Sequence, residues 1–204
     1  MLKSIIFDCS DTLLQLKSPL WLAYFKGDLA RAERIHSGIF TSPVWFRYDN
    51  GKATLTDVER EAIPLLPPED RALALSYLRE WITGSTYAPI DGMPQLLADL
   101  KAAGLRLYLL SDFPDCFSDL AARFDFFSLF DGMTVSYRAG CSKRDGGALF
   151  DHLLQEYALD PAECAFIDDL PPYLVLAEKR GIRAHAAGDA NVLRAWLRAQ
   201  GCAL

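Results

Sequence analysis

Short apolar runs alternate with segments of helical periodicity along most of this chain. Ile5, Ile6 and Phe7 mark a first buried strand over 4–7. The spacing predicts a helix over 93–103 closed by Gly104, a strand over 105–110, and a helix over 116–124. A short strand over 133–135 and a helix over 147–157 follow, then a strand over 164–167. A helix over 172–180 closed by Gly181, a strand over 182–186 and a helix over 191–199 complete the series. Apolar strands that alternate with helices in this way imply a parallel sheet covered on both faces.

One stretch departs from that rhythm. Between Leu14 and Ala88 only helix signals occur. Ser18-Pro19 predicts a capped start for a helix that runs to about Gly38, and Ser42-Pro43 repeats the device up to Asn50-Gly51. Thr56 and Glu59 have the spacing of a capping box, and a fourth helix is expected over 68–83, ending at Gly84. The expected organisation is a doubly wound α/β core over 1–13 and 89–204 with a helical module over 14–88 inserted after the first strand. No repeat, low-complexity tract or Gly/Ser linker interrupts it.

Composition narrows the function classes. At 51% hydrophobic and 24% charged, the 204-residue chain has ample material for a packed core. A net charge of −6 without basic runs argues against nucleic acid or an anionic membrane surface as partner. A phosphorylated ligand would therefore have to be met by local cations. The apolar start is interrupted at Asp8, too early for a signal peptide, and no run approaches a membrane span. Five dispersed cysteines with no CxxC pair read as free thiols, which points to the cytoplasm. Cys9 reads as a small buried hydrophobe.

The acidic residues carry the chemistry. In an open parallel sheet, ligands bind beyond the carboxyl ends of the strands where strand order reverses. The first strand ends in Asp8, the second in Ser111-Asp112 and the fourth in Asp168-Asp169, while Lys143 follows the third. Singly, each Asp could be a turn or helix-cap residue, as Asp11 and Asp169 suggest. Gathered at one rim they would repel, and an all-oxygen set of this kind suits a hard cation such as Mg²⁺ facing a lysine. The three histidines share no metal-ligand spacing. Trp21, Trp45 and Trp81 are expected in the core of the helical module, and His36 and Arg47 on its solvated face, with contact to substrate as the alternative for each.

FDCSDTL, LYLLSD, the lysine of GCSKRDGGALF, and FIDD resemble, in order and approximate separation, the four motifs of the haloacid dehalogenase (HAD) superfamily. The helical insertion resembles its small C1 cap, and the FIDD form its subfamily IA. The resemblance implies that Asp8 is a nucleophile forming an aspartyl-phosphate, with Ser111 and Lys143 binding phosphate. It implies Mg²⁺ held by Asp8, the backbone carbonyl of Ser10 and Asp169, with Asp168 in support. Asp112 stands where the family usually has Asn.

A second departure is mechanistic. Most phosphatases of this family carry a general acid–base Asp at the position occupied here by Ser10. A serine hydroxyl does not ionise near neutral pH, so a slow enzyme is expected. The leading expectation is a Mg²⁺-dependent phosphatase, monomeric or homodimeric, acting on a small phosphorylated metabolite such as a sugar phosphate. The alternatives are a 2-haloacid dehalogenase-type hydrolase and a catalytically attenuated metabolite-binding protein.

Overall fold

The computed structural model describes residues 1–16 and 19–204; the expected cap residue Ser18 lies outside them. The chain begins with strand β1 (Ser4–Phe7) and the two-residue strand β2 (Leu14–Gln15). Helices α1 (Pro19–Tyr24), α2 (Leu29–Phe40), α3 (Pro43–Asp49), α4 (Leu55–Glu61) and α5 (Pro68–Ile82) follow. The second half comprises β3 (Ala88–Pro89), α6 (Met93–Ala102), β4 (Arg106–Ser111), α7 (Phe117–Ala121), β5 (Gly132–Val135) and α8 (Ser136–Ala139). It ends with α9 (Ala148–Glu156), β6 (Cys164–Asp168), α10 (Pro171–Glu178), β7 (Arg183–Ala186) and α11 (Ala190–Ala199).

Five strands form one parallel sheet in the order β5-β4-β1-β6-β7. Its central strands alternate between two cores, as a pleated strand must. Ile5, Phe7, Leu107, Leu109, Ala165 and Ile167 face one side; Ile6, Tyr108, Leu110, Cys164 and Phe166 face the other. The chain moves outward from β1 through β4 to β5 and then returns to β6 on the opposite side. β1 is thus the switch point, where a doubly wound sheet opens a crevice at its carboxyl edge.

Helices α1–α5 lie between β2 and β3, which pair antiparallel through Leu14–Pro89 and Gln15–Ala88. Two residues per strand are too few to show periodicity, so this ribbon is absent from the sequence reading. The expected single helix from Pro19 to near Gly38 is two helices. Lys26 and Gly27 both take positive φ (53° and 82°), and Asp28 caps α2 by accepting the Arg31 N–H. The capping box is formed by Thr54 and Asp57, not by Thr56 and Glu59. Asp169 does not cap α10, whose first residue follows Leu170 without a side-chain cap. The expected helix over 116–124 contracts to α7, followed by a 3₁₀ turn over Asp125–Leu129.

The helical segment sits against the sheet rim through specific contacts. Tyr48 donates to Asp115 at 2.6 Å, and the Ser136 hydroxyl donates to the Asp49 carbonyl. Gly51 has φ +65°, and a Cβ there would approach the Tyr137 carbonyl oxygen to 2.6 Å, so only glycine fits. Among the described residues no helix is long and apolar enough to cross a membrane.

Candidate active site

The backbone reverses at once after β1. The Leu13 and Leu14 N–H groups both donate to the Cys9 carbonyl, and Asp11 N–H donates to that of Leu14. Among these turn hydrogen bonds of the described residues the Ser10 carbonyl accepts none. Asp11 sits at φ 52° and its carboxylate accepts the Leu16 N–H at 3.1 Å. Because the chain turns here, Asp11 does not follow strand alternation, and it lines the same cavity as Asp8 and Ser10. Cys9 is fully buried, in keeping with its reading as a small hydrophobe.

Lys143 is the pivot of the rim. Its ammonium donates to Asp8 Oδ1 at 2.7 Å and to Asp168 Oδ2 at 2.6 Å, and it is 2% exposed. Its backbone N–H donates to Asp112 Oδ1 at 2.8 Å, so the carboxylate at this position serves as an acceptor that fixes the lysine loop. Tyr173 supports the same group: its ring lies 4.6 Å from the Lys143 ammonium, and its hydroxyl reaches Asp112 at 3.4 Å. Asp168 Oδ1 accepts the Leu170 N–H, so both its oxygens are engaged. Ser111 is buried at the end of β4 and lines the cavity.

Charge is unbalanced at this rim. Asp8, Asp168 and Asp169 can each place one carboxylate oxygen within 4.8 Å of the others. Three acids therefore face one ammonium. Burial raises Asp8 to about 7, with Lys143 opposing and Asp168 and Asp169 adding to the rise. Burial, then Asp168 and Asp11, raises Asp169 to about 6. Burial works against the charge of Lys143, but Asp8, Asp168 and Asp112 outweigh it and raise its pKa, so it stays a cation. Such a hard-oxygen set with excess negative charge fits a divalent ion: Asp8, Asp169 and the Ser10 carbonyl have oxygens available, and Asp168 would act through Lys143 or water.

The cavity above this rim has a volume of about 420 Å³. Its other wall belongs to the helical segment, through His36, Phe40, Thr41, Trp45, Asp49 and Trp81. Trp45 and Trp81 are thus both core residues and lining residues, which corrects the expectation that they only pack the module; Trp21 is buried there. His36 is not on a solvated face: it is half-buried, packs on Phe40 and lies 3.0 Å from the Tyr77 hydroxyl. Arg47 is exposed, pairs with Glu61 and does not line the cavity. Asp49, Phe40 and Arg144 escaped the sequence reading. The signal available was their spacing: His36–Phe40 and Trp45–Asp49 are i,i+4 pairs on one helix face.

The fold and the rim together define an α/β protein whose acidic chemistry sits at the switch point of its sheet. The chain belongs to the haloacid dehalogenase-like hydrolases, whose family model matches residues 2–172. No curated protein matches it. A predicted HAD-like hydrolase from Porphyromonas gingivalis is 18% identical, with a TM-score of 0.71 over 98% of both chains. A HAD family enzyme from Bacteroides thetaiotaomicron, a mutant in complex with magnesium and inorganic phosphate, is 20% identical at TM-score 0.70, covering 95% of this chain and 99% of that one. L-2-haloacid dehalogenase from Xanthobacter autotrophicus is 22% identical at TM-score 0.66, covering 90% of this chain and 76% of its own. At these identities the likeness is one of fold.

Proposed function

We propose that this hydrolase is a Mg²⁺-dependent phosphatase that cleaves a small phosphate monoester through an aspartyl-phosphate on Asp8. The observation that carries this reading is the buried rim in which Asp8, Asp168 and Asp169 outnumber the single cation Lys143. That arrangement supports a site completed by a divalent ion and a phosphoryl group, and the Bacteroides thetaiotaomicron relative holds magnesium and inorganic phosphate. Asp8, the Ser10 carbonyl and Asp169 would hold the ion, which supplies charge neutralisation to phosphate oxygens when bound.

The chain's own residues account for the rest. Lys143 holds Asp8 through Oδ1, leaving Oδ2 to attack phosphorus. Ser111 donates its hydroxyl to a phosphate oxygen, and Lys143 balances the charge that spreads over the transferring group. As the ester bond breaks, the leaving oxygen takes a proton from water, because Ser10 offers no acidic group. Water then attacks the acyl phosphate and frees Asp8. The helical wall excludes bulk solvent from these steps.

Ser10 and the apolar helical wall also favour a second reading, a haloacid dehalogenase, because a departing halide needs no proton. In that reaction Asp8 attacks carbon and no metal is required. Phosphate release from an aryl phosphate, measured with Mg²⁺ and with EDTA, separates the two. The phosphatase reading expects release with Mg²⁺ and its loss with EDTA. Halide release from 2-chloropropionate unaffected by EDTA, with no phosphate release, would replace it by the dehalogenase.

A further inference from the structure

We infer that the leaving group taken by this site is flat and largely apolar, an aryl or heteroaryl alcohol bearing a hydrogen-bond acceptor, and not a polyhydroxylated sugar. This rests on the phosphatase reading and names its substrate class.

The wall opposite Asp8 is a continuous aromatic surface. Phe40 contacts Trp45 and Trp81 at ring-centroid distances of 4.4 and 4.9 Å, and the two indoles meet at 5.0 Å. Trp81 stacks on Phe113 at 5.2 Å with an interplanar angle of 15°, and Tyr87 packs at 5.7 Å. Phe40, Trp45 and Trp81 meet edge to face or tilted, at 74°, 48° and 81°, and rings locked in this way form a rigid apolar surface on which a further aromatic ring can pack edge to face or offset. A cavity of about 420 Å³ accommodates a phosphoryl group and a small ring system.

A sugar would instead require several free donors and acceptors along that wall. The polar groups there are already engaged within the protein. Thr41 donates to the Ser37 carbonyl at 2.8 Å, His36 meets Tyr77, and Asp49 faces Arg144 at 3.6 Å. Among the described residues that line the cavity, two buried polar atoms have no hydrogen-bond partner: Trp81 Nε1 and the Tyr87 hydroxyl. Tyr87 lies close to Ser10 but makes no well-formed hydrogen bond to it. Burial keeps the phenol protonated, so both groups are donors. Buried donors left unpaired in a ligand cavity are the mark of an acceptor supplied by the ligand.

Calorimetry on the intact protein with Mg²⁺ and non-hydrolysable phosphonates tests this. Methylphosphonate reports on the phosphate site alone, benzylphosphonate adds a ring, and 2,3-dihydroxypropylphosphonate adds a polyol. Benzylphosphonate is expected to bind at least tenfold more tightly than the polyol. 4-Acetylbenzylphosphonate should gain a further severalfold, and Trp81→Phe or Tyr87→Phe should reduce that gain while the thermal midpoint reports that the variant is folded. Equal or tighter binding of the polyol, with methylphosphonate bound, overturns the inference and leaves the phosphatase reading standing. If methylphosphonate and all three larger analogues fail to bind, both readings fall.

Discussion

On the sheet rim, Lys143 is held by charge: two carboxylates within 2.7 Å take its ammonium, and a third accepts its backbone N–H. On the facing helical wall, Trp45 and Trp81 are held by shape, each packed among other rings and about 5% exposed. The rim is therefore strongly coupled, because removing one charge strands the others in a medium that solvates them poorly. The wall is composed of many weak contacts, so one lost ring edge leaves its neighbours paired. On the proposed phosphatase reading, reaction chemistry belongs to the first kind of region and selection among leaving groups to the second.

The largest effect should come from the rim. Asp8→Asn removes the proposed nucleophile while preserving shape, and phosphate release should fall by at least about 10⁴-fold. Single-turnover phosphate release measures it; a variant within tenfold of the wild type would show that Asp8 is not the attacking group. Lys143→Met comes next. It leaves Asp8 and Asp168 buried without their cation, and should cost about 3 kcal/mol in urea unfolding of the metal-free protein. Mg²⁺ should restore part of that loss by supplying the missing charge. An unchanged midpoint would mean that the rim is not charge-coupled after all.

How far these regions were readable from sequence follows the same division. The rim was legible because each acid terminates an apolar strand, and strand ends at a switch point converge whatever the intervening chain does. Asp8, Ser111, Asp112, Lys143 and Asp169 accordingly all line one cavity. The wall was not legible. Trp45 and Trp81 satisfy a core pattern whether or not one edge faces a cavity, and periodicity carries no information about which edge that is. Local devices failed for a related reason. Thr54 and Thr56 each have an acid three residues on, and the preference for glutamate favoured the pair that the chain does not use. The break at Lys26-Gly27-Asp28 carries a cap signal, but the apolar spacing on either side concealed it.

A smaller effect is expected where the two regions meet. Ser10→Asp places a carboxyl group in the turn beside Asp8, where it can protonate a departing alkoxide. Turnover of an alkyl phosphate should rise roughly 10²-fold, and that of an aryl phosphate with a good leaving group much less. The ratio of the two rates is the readout. A ratio that stays constant would place the proton donor elsewhere in the cavity.

The smallest effect per pH unit probes the one acid that the helical wall carries into the cavity. Asp49 is 4% exposed at the end of α3, with Arg144 at 3.6 Å and its carbonyl held by Ser136. Burial, then the proximity of Asp112, raises its pKa to about 8, with Arg144 opposing. In the unfolded chain it returns to about 4. Between those values the folded protein binds a proton that the unfolded chain has released, so stability falls as pH rises. The slope from this group is at most about 1.4 kcal/mol per pH unit. Its contribution is fully present below about pH 4 and is lost on passing through pH 8. Asp49→Asn cannot ionise, so its unfolding free energy relative to the wild type should improve steadily from pH 5 to pH 8 in urea titrations. Parallel curves would mean that Asp49 is ionised and paired throughout. The wall would then be held by charge at this point, as the rim is, and the contrast between them would narrow to the aromatic cluster alone.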